Sequence, residues 1–572
     1  MNLNKINDLK DLASYIGVKP SYLAYHIYHN PRIKLNQHYT EFEISKSSGG
    51  SRIIATPNKN LKIIQKKLAF KLNQHLKSLG FYRNNKILHA FIKENKPYQR
   101  GFISNSKIHR KKNYILNVDL ENFFESIHFG RVRGYFQKDD KFNFNKDVAT
   151  IIAQICTYKG SLPQGAPTSP IISNLIGNLL DSKILKLSKK YKLHYTRYAD
   201  DMTFSTNDYK FVRNINQFNK ELENIISSAG FKINTSKTRL QYRTSRQQVT
   251  GIVVNEKLNI PREYYKKTRA MAHNLYKNDE FEINGEKSTL NQLEGRFSFI
   301  NQLEWYNNKN NKNKKKPYLK LSSKETEYQR FIFYKYFIKN DLATIITEGK
   351  TDVLYIKAAL KKTWKEYPKL ITKDNNGNFL FKIKFLNKTK RLNYFLGIGI
   401  DGGDSLINVY NHYKGKDNVN DLRKYFNKFN CNYSNPIIML LDNEIDVKGK
   451  PLNKMINIIK FEKDELERNL YVNLVENLYL STIPKTKEKN ESEIEDLFNE
   501  ETLNKGIEGR PFTKKDNYNK KEYCGKDEFS KYVYNNYTNI DFKKFHPLLK
   551  ALSEIVKKNK IYYIYNYVLL YW

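Results

Sequence analysis

The chain has 572 residues and a strongly basic composition: 100 Lys and Arg against 58 Asp and Glu give a formal charge of +42 at pH 7. This charge favours a polyanionic partner, although codon bias in an AT-rich genome would also raise the lysine content. The length excludes a single hydrophobic core, and three widely spaced cysteines without a CxxC pair exclude a disulfide framework and a zinc site.

The N-terminal half alternates helical and strand patterns. Between residues 61 and 79 apolar residues recur at helical spacing, and Gly80 follows as a stop signal. From residue 113 to 260, short apolar runs alternate with helical segments such as the one from Phe211 to Ile225. We therefore predict a mixed α and β domain here.

A basic stretch without acids follows Trp305, and it predicts a linker at about 306 to 325. Apolar runs at 343 to 347, 394 to 400 and 436 to 441 then alternate with helical segments, which predicts a parallel sheet covered by helices. Residues 484 to 496 and 505 to 527 are polar and predicted to be loops. The N-terminus lacks a signal-peptide core and the apolar C-terminal run is too short to cross a bilayer, so we expect a soluble, cytoplasmic protein without a membrane partner.

Three acids mark the first candidate site. Asp119 ends the apolar run "YILNVDL", and Asp200 and Asp201 stand between two β-prone runs in "RYADDMTF", which predicts a tight hairpin. A Tyr-x-Asp-Asp motif is short enough to arise by chance, but a Gly- and Pro-rich turn, "LPQGAPTSP", lies between the two acidic stretches. Carboxylates from two strands could hold two Mg²⁺ ions about 4 Å apart, the geometry of nucleotidyl transfer.

In this order, the Asp119 strand, the Gln164-Gly165 turn and the hairpin resemble the motifs of reverse transcriptases. The resemblance implies a right-hand fold of fingers, palm and thumb, with Asp119, Asp200 and Asp201 as catalytic metal ligands. It also implies nucleotide-binding roles for Arg52, Phe124, Gln164, Gly165 and Lys237. Phe124 would be the steric gate that selects deoxynucleotides, whereas Phe123 is expected in the core. For Lys237 and Arg52 an ordinary surface position is the alternative.

Two short elements narrow the family. "NSKIH", from Asn105 to His109, resembles the N-A-x-x-H element of retron reverse transcriptases, with Ser106 in place of Ala. The tripeptide Val249, Thr250 and Gly251 resembles the retron V-T-G element. The resemblance implies RNA binding by both elements. The basic segment that carries Lys266, Lys267 and Arg269 would add RNA contacts, although a plain basic helix face is the alternative reading.

The retron resemblance also implies partners and products. Such enzymes bind a structured noncoding RNA, use deoxynucleotides, prime from the 2′-hydroxyl of an internal guanosine and make branched multicopy single-stranded DNA (msDNA). A homo-oligomer assembled with that msDNA is compatible with the family, and the oligomeric state is left open.

A second group of acids lies in the C-terminal half. Glu348 follows the apolar run "ATIIT", Asp352 enters the next helical segment, and Asp442 and Glu444 follow "PIIMLL". Because the carboxyl ends of parallel strands share one sheet edge, these acids predict a magnesium site. The pattern resembles the TOPRIM domain of topoisomerases, primases and nucleases. Three further acids, Asp446, Glu495 and Asp496, are accessory candidates, with a solvated surface position as the alternative for the last two.

We therefore expect an α/β chain with a retron reverse transcriptase over residues 1 to 320 and a Rossmann-like TOPRIM domain over 340 to 572. Fingers and palm would span about 1 to 245, and the thumb and RNA-binding region about 246 to 305. Two Mg²⁺ ions are expected in each catalytic domain. The TOPRIM domain would be a nuclease toxin of antiphage defence, acting on cellular or phage nucleic acid, with RNA favoured, and held inactive by the msDNA and RNA. The alternatives are a TOPRIM domain that only binds, and a group II intron-like maturase.

Overall fold

The computed structural model describes residues 6–28, 38–45, 50–92, 100–308, 316–400, 402–461, 463–486, 491–515 and 517–569. The chain forms two compact units, Met1–Arg262 and Glu263–Trp572, which are described separately. Residues 309 to 315 of the predicted basic linker lie outside the described residues. Within the described ranges, no helix has both the length and the apolar character that a membrane crossing requires.

The first unit contains ten helices and eight strands within its described residues. The helices are α1 Leu9–Ile16, α2 Pro20–Tyr28, α3 Lys59–Ser78, α4 Phe81–Asn84, α5 Phe102–Ile108, α6 Phe129–Lys138, α7 Lys146–Cys156, α8 Ser169–Lys190, α9 Lys210–Arg213 and α10 Ile215–Ser228. The strands are β1 Tyr39–Ser45, β2 Ser51–Pro57, β3 Tyr114–Leu120, β4 His194–Tyr198, β5 Asp201–Thr206, β6 Ile233–Tyr242, β7 Gln248–Val249 and β8 Ile252–Val253.

An antiparallel sheet in the order β4-β5-β3-β6 is the centre of the first unit. The strands β3 and β5 are almost wholly buried, because the apolar side chains of α8 and α10 contribute to the same core. The predicted helix after residue 60 is confirmed as α3, with Ile64, Leu68 and Leu72 in the core and Asn58 as its N-cap. Leu79 lies past the helix and is exposed, since the buried stripe ends at Leu76. β1 and β2 form a separate two-stranded ribbon.

In the second unit the strands and helices alternate. The elements are α11 Arg262–Asn278, β9 Glu282–Ile283, β10 Glu286–Lys287, α12 Leu290–Asn307, α13 Ser323–Phe333, β11 Ala343–Thr347, α14 Asp352–Lys362, β12 Ile371–Lys373, β13 Phe379–Phe381, β14 Ile383–Phe385, α15 Lys390–Leu396, α16 Ile407–Lys414, α17 Leu422–Asn427, β15 Ile437–Leu441, α18 Pro451–Ile459, α19 Lys463–Asn469, β16 Tyr471–Val475, β17 Leu478–Thr482, α20 Glu500–Lys505, α21 Lys526–Asn535 and α22 His546–Leu569.

Five of these strands form a sheet in the order β14-β11-β15-β17-β16, with all neighbours parallel except β16 and β17. The central strands β11 and β15 are completely buried, as expected for a parallel sheet covered on both faces. The strand predicted at 394 to 400 is wrong. Thr389 caps a helix there, and Gly397 ends that helix with a left-handed φ of 68°, so the first part of the apolar run, residues 394 to 396, belongs to the buried face of α15.

The unit boundary lies at residue 262, earlier than the predicted division near 320. The physical reason is aromatic packing between α12 and α13: the Phe297 ring stacks on Tyr328 at 5.5 Å and on Phe331 at 5.1 Å. The C-terminal end of the predicted linker is also structured. Tyr318 is buried, and Ser322 begins α13 with a capping box that includes the buried Glu325.

Candidate functional sites

The structure brings the three acids of the first site together on neighbouring strands. Asp119 on β3 is directly opposite Asp201 on β5 in the antiparallel register. Asp200 lies in the two-residue turn between β4 and β5, and its carbonyl accepts a hydrogen bond of 3.1 Å from the amide of Leu120. Ala199, the other turn residue, has a left-handed φ of 58°. The predicted hairpin is confirmed.

The electrostatics of these acids favour a bound cation. Burial, together with the nearby charges of Asp200 and Asp119, raises the pKa of Asp201 to about 7. Burial also raises the pKa of Asp200, with a smaller contribution from Asp119. Lys237 is the partner of Asp119, at 3.1 Å. A positive charge among these oxygens would relieve the repulsion that the lysine relieves only in part.

The donor chemistry fits magnesium, because all three groups are carboxylates. In the described part of the chain, no three carboxylate, histidine or cysteine groups are already arranged as a cage for an ion. Magnesium usually takes one or two carboxylates together with waters and substrate phosphates, so a complete protein cage is not required.

A buried ion pair that the sequence did not reveal supports the hairpin. Arg197 on β4 and Asp181 on α8 are both at most 1% exposed and form two hydrogen bonds of 2.8 Å. Arg197 also donates to the carbonyl of Ala199 at 3.0 Å, so the guanidinium holds the turn that carries Asp200. Gly177 leaves the necessary space, since a Cβ there would lie 2.6 Å from the guanidinium. The only sequence signal was an arginine two residues before the turn.

The Gln164-Gly165 turn packs against the ribbon that carries Arg52. The amide of Ala55 on β2 donates to the Gln164 carbonyl at 2.8 Å. Gly165 has a φ of 128°, and a Cβ there would lie 2.7 Å from the Ala55 carbonyl oxygen, so only glycine allows this approach. Two of the predicted nucleotide-binding elements therefore lie side by side.

The two adjacent phenylalanines occupy different environments. Phe123 is 3% exposed and stacks on Phe231 at 5.5 Å, which confirms its predicted core position. Phe124 is half-buried, with Phe91 as a tilted neighbour at 6.3 Å. Phe124 is thus the more exposed of the two rings.

A cavity of about 320 Å³ is shared by two acids of the first site and the V-T-G element. Its lining includes Asp119, Asp201, Lys237, Arg239, Thr250 and Gly251. Thr250 and Gly251 have left-handed φ angles of 46° and 79° and form the two-residue turn between β7 and β8. The V-T-G element is therefore part of the wall of the cavity that contains Asp119 and Asp201.

The "NSKIH" element is buried and supports the V-T-G hairpin from behind. The Ser106 hydroxyl donates to the Val249 carbonyl at 2.9 Å, a bond that the usual alanine could not make. His109 is fully buried between Ser205 and Thr196, at 2.7 Å from each hydroxyl, and burial lowers its pKa to about 3. Asn105 is also fully buried.

The side chains of Asn105, His109 and Val249 have no exposed surface, so their part in RNA binding stays a prediction that direct side-chain contact in this conformation does not support. Thr250 and Gly251 remain accessible in the turn. In the second unit, Lys266, Lys267 and Arg269 are exposed on α11, as a role in nucleic-acid binding requires.

The second group of acids meets at the carboxyl edge of the parallel sheet. Glu348 follows β11 and Asp442 follows the neighbouring β15, and the Asp442 amide donates to the Glu348 carboxylate at 2.9 Å. Asp352 is the first residue of α14, and its carboxylate accepts from the Gly349 amide at 2.9 Å. The predicted placement of these three acids is confirmed.

These carboxylates share a buried environment. Burial is the largest cause that raises the pKa of Asp442 to about 9, and the charges of Glu348, Asp352, Glu493 and Glu495 are the other causes. Burial and two acidic neighbours likewise raise the pKa of Glu348 to about 7. Such a group of acids is costly unless protons or cations neutralise it.

The remaining acids divide into two groups. Glu495 is 2% exposed and belongs to the cluster: burial raises its pKa to about 7, Asp352 contributes, and Lys526 contacts it at 3.4 Å. The solvated alternative for Glu495 is therefore wrong. Glu444 is buried and bound by Lys450 at 2.7 Å, while its second oxygen has no hydrogen-bond partner among the described residues.

Asp446 and Asp496 are held by other groups. Asp446 is exposed and paired with Lys485 at 3.0 Å, and Asp496 is paired with Lys514 at 3.1 Å and caps the amide of Glu493. Glu495, in contrast, raises the pKa of Asp442, whereas lysines neutralise Asp446 and Asp496. As in the first site, the donor set is made of oxygens, and the unpartnered oxygens of Glu444 and Glu495 fit a hard cation such as Mg²⁺.

Comparison with known proteins places the first site in a family. Residues 44–297 match the family described as reverse transcriptase (RNA-dependent DNA polymerase). The chain is 32% identical to the retron Ec86 reverse transcriptase of Escherichia coli over 307 residues, which cover 52% of this chain and 86% of that protein. It is 29% identical to the retron Mx65 reverse transcriptase of Myxococcus xanthus over 51% of this chain and 68% of that protein.

Among solved structures, apo telomerase from Candida tropicalis aligns with 53% of this chain and 61% of its own, at 14% identity and a TM-score of 0.31. That score is too low to inform the site. The family assignment rests instead on the identity and coverage of the retron enzymes, together with the cluster of Asp119, Asp200 and Asp201. The chain belongs to the family of retron reverse transcriptases, which are RNA-directed DNA polymerases.

Proposed function

We propose that the first unit copies part of a structured noncoding RNA into DNA, priming from the 2′-hydroxyl of an internal guanosine so that the product stays branched to the RNA. The observation that carries this proposal is the opposition of Asp119 and Asp201 in a cavity shared with the V-T-G turn. The retron relatives favour this function over that of a group II intron-like maturase.

The roles of the side chains follow from their positions. Asp119, Asp200 and Asp201 would hold two Mg²⁺ ions, which supply the charge that activates the attacking hydroxyl and stabilises the leaving pyrophosphate. Lys237 lies at the same carboxylate edge and would donate a proton to the pyrophosphate. The Gln164-Gly165 turn, with Arg52 on the adjoining ribbon, would bind the deoxynucleotide, and Phe124 would exclude a ribose 2′-hydroxyl.

The experiment is DNA synthesis by Asp200→Asn on the native noncoding RNA. This change removes a charge without changing the volume, so we expect a folded protein that makes no labelled DNA. The matched control is Asp208→Asn, which alters an aspartate outside the cluster and leaves synthesis unchanged. Full activity of Asp200→Asn would refute the assignment.

We further propose that the second unit is a TOPRIM-type phosphodiesterase that acts as a toxin in antiphage defence and is held inactive by the msDNA and RNA. Glu348, Asp352, Asp442 and Glu444 would hold Mg²⁺, which would activate water for attack on a phosphodiester. The supporting observation is the group of buried acids at one sheet edge, which a module used only for binding would have no reason to keep.

The test of this second function is Glu348→Gln in cells challenged with phage. We expect growth arrest to disappear while branched DNA is still made, because the substitution lies outside the first unit. Asp446→Asn is the matched control, since Asp446 is exposed and paired with Lys485. Arrest that persists in Glu348→Gln would favour the alternative, a TOPRIM domain that only binds nucleic acid.

A further inference from the structure

The second unit contains a cavity of about 270 Å³ that no proposed function uses. One wall is a face of α11, and the other walls come from α13 and α17. The lining residues are Lys266, Arg269, His273, Tyr276, Glu327 and Tyr425. The volume is slightly below the usual range of small-molecule pockets, which fits a ligand of one nucleotide rather than a larger molecule.

One polar atom in this wall lacks a partner. Tyr276 is 3% exposed, and its hydroxyl has no hydrogen-bond partner among the described residues. Burial raises the pKa of Tyr276, and Tyr425 and Glu327 contribute, which places the hydroxyl beside these two cavity residues. A buried hydroxyl without a partner costs free energy, so the structure gains if a ligand supplies the missing hydrogen bond.

The same cavity combines aromatic and basic groups. The Tyr425 ring carries the Arg330 guanidinium at 3.9 Å on one face, and its edge meets Tyr276 with ring centres 6.3 Å apart. Lys266 and Arg269 stand one helical turn apart at the rim, both exposed. Aromatic rings suit a base and paired cations suit a phosphate, the combination that single-stranded nucleic-acid sites use.

Glu327 organises the basic groups. Its carboxylate contacts Arg330 at 2.6 Å and Arg269 at 3.9 Å, and its side chain is 12% exposed. The carboxylate thus fixes Arg330 against the Tyr425 ring and holds Arg269 near the rim. The Glu327 carboxylate can accept a hydrogen bond from the edge of a base, and the Tyr276 hydroxyl can donate one.

We propose that this cavity binds a single unpaired nucleotide, with its base against Tyr425 and Tyr276 and its phosphate on Lys266 and Arg269. The inference rests on the proposed nucleic-acid binding by α11 and makes that binding specific to one pocket. Because α13 and α17 supply Glu327 and Tyr425 to the wall, an occupied pocket joins the nucleic acid to the unit that carries the second group of acids.

The test uses the full chain and two probes: a single-stranded RNA octamer with one 2-aminopurine, whose fluorescence falls on stacking, and free AMP. Tyr276→Phe removes only the unpartnered hydroxyl, so we expect unchanged or higher stability but about threefold to tenfold weaker binding of the octamer. Tyr425→Leu should weaken binding by about tenfold or more, because a base–aromatic stack is lost. The control Lys277→Gln alters an exposed lysine of α11 outside the cavity and should change affinity less than about twofold.

The two probes separate the sources of the nucleotide. Displacement of the octamer by millimolar AMP, with the same sensitivity to Tyr276→Phe, would assign the pocket to free mononucleotides. No displacement, with an octamer affinity that still depends on Tyr276 and Tyr425, would assign it to a nucleotide within a strand. Affinities for both probes that change less than about twofold in both variants would overturn the proposal. If the wild-type protein still makes DNA normally when the variants bind both probes unchanged, the proposed polymerase function stands and only the nucleotide pocket is refuted.

Discussion

The ion pair of Arg197 and Asp181 allows a quantitative test of how the polymerase turn is held. Both side chains are at most 1% exposed, and the Asp181 carboxylate also accepts from the Tyr195 hydroxyl at 2.7 Å. Arg197→Met keeps most of the volume but leaves a buried carboxylate without its cation. Breaking a buried pair in this way costs about 3–5 kcal/mol, more than any exposed pair contributes.

The assay is hydrogen exchange measured by mass spectrometry on peptides that cover β4 and β5. At 1.36 kcal/mol per decade, the expected loss makes these amides exchange about two to four orders of magnitude faster, up to the limit set by global unfolding. Arg197→Met combined with Asp181→Asn should recover most of the protection, because no charge remains buried and Tyr195 keeps an acceptor. DNA synthesis should stay low in the double variant, since the Ala199 carbonyl has lost its donor.

Lys190→Met is the control, because Lys190 lies on α8, the helix that also carries Asp181, and pairs with Glu221 at the surface. Solvent screens an exposed pair of this kind, so it contributes little to stability and protection of β4 and β5 should be unchanged within roughly fivefold. Unaltered exchange in Arg197→Met, or a double variant no better protected than the single one, would refute the role of the buried pair.

Three further predictions concern the polymerase site. The pKa of Asp201 is raised to about 7, and a carboxylate must lose its proton to bind a cation. The Mg²⁺ concentration for half-maximal DNA synthesis should therefore fall as pH rises toward 7 and level off above pH 7. A flat profile from pH 5.5 to 8 would contradict this prediction. Gly165→Ala places a Cβ 2.7 Å from the Ala55 carbonyl oxygen and should raise KM for deoxynucleotides while RNA affinity is unchanged. Gly160→Ala is the control, because a Cβ at residue 160 would have no atom within 4 Å. Phe124→Ala should allow ribonucleotide incorporation in a primer-extension assay, whereas unchanged sugar selection would place the gate elsewhere.

The local sequence was sufficient to predict the helices and strands that carry the acids. The Asp119 strand, the hairpin with Asp200 and Asp201, the helix α3 and the strands before Glu348 and Asp442 all form where periodicity and turn residues predict them. In each case a short apolar run ends at an acid or a turn signal, and this pattern is visible in the local sequence without knowledge of the rest of the fold. The order of these motifs also indicated the family.

Other features depend on contacts between residues far apart in the sequence, and only the tertiary structure could decide them. The apolar run at 394 to 400 fits a strand or a buried helix equally well, and the Thr389 cap and packing decide for the helix. Asn105 and His109 resemble surface recognition residues in the sequence, but the sheet covers them, and Ser106 turns out to support the V-T-G hairpin. Burial likewise separates Glu495, which joins the second acidic cluster, from Asp446, which an exposed lysine neutralises. The sequence determined which chemical groups are present, and packing decided which of them are buried together and therefore able to act together.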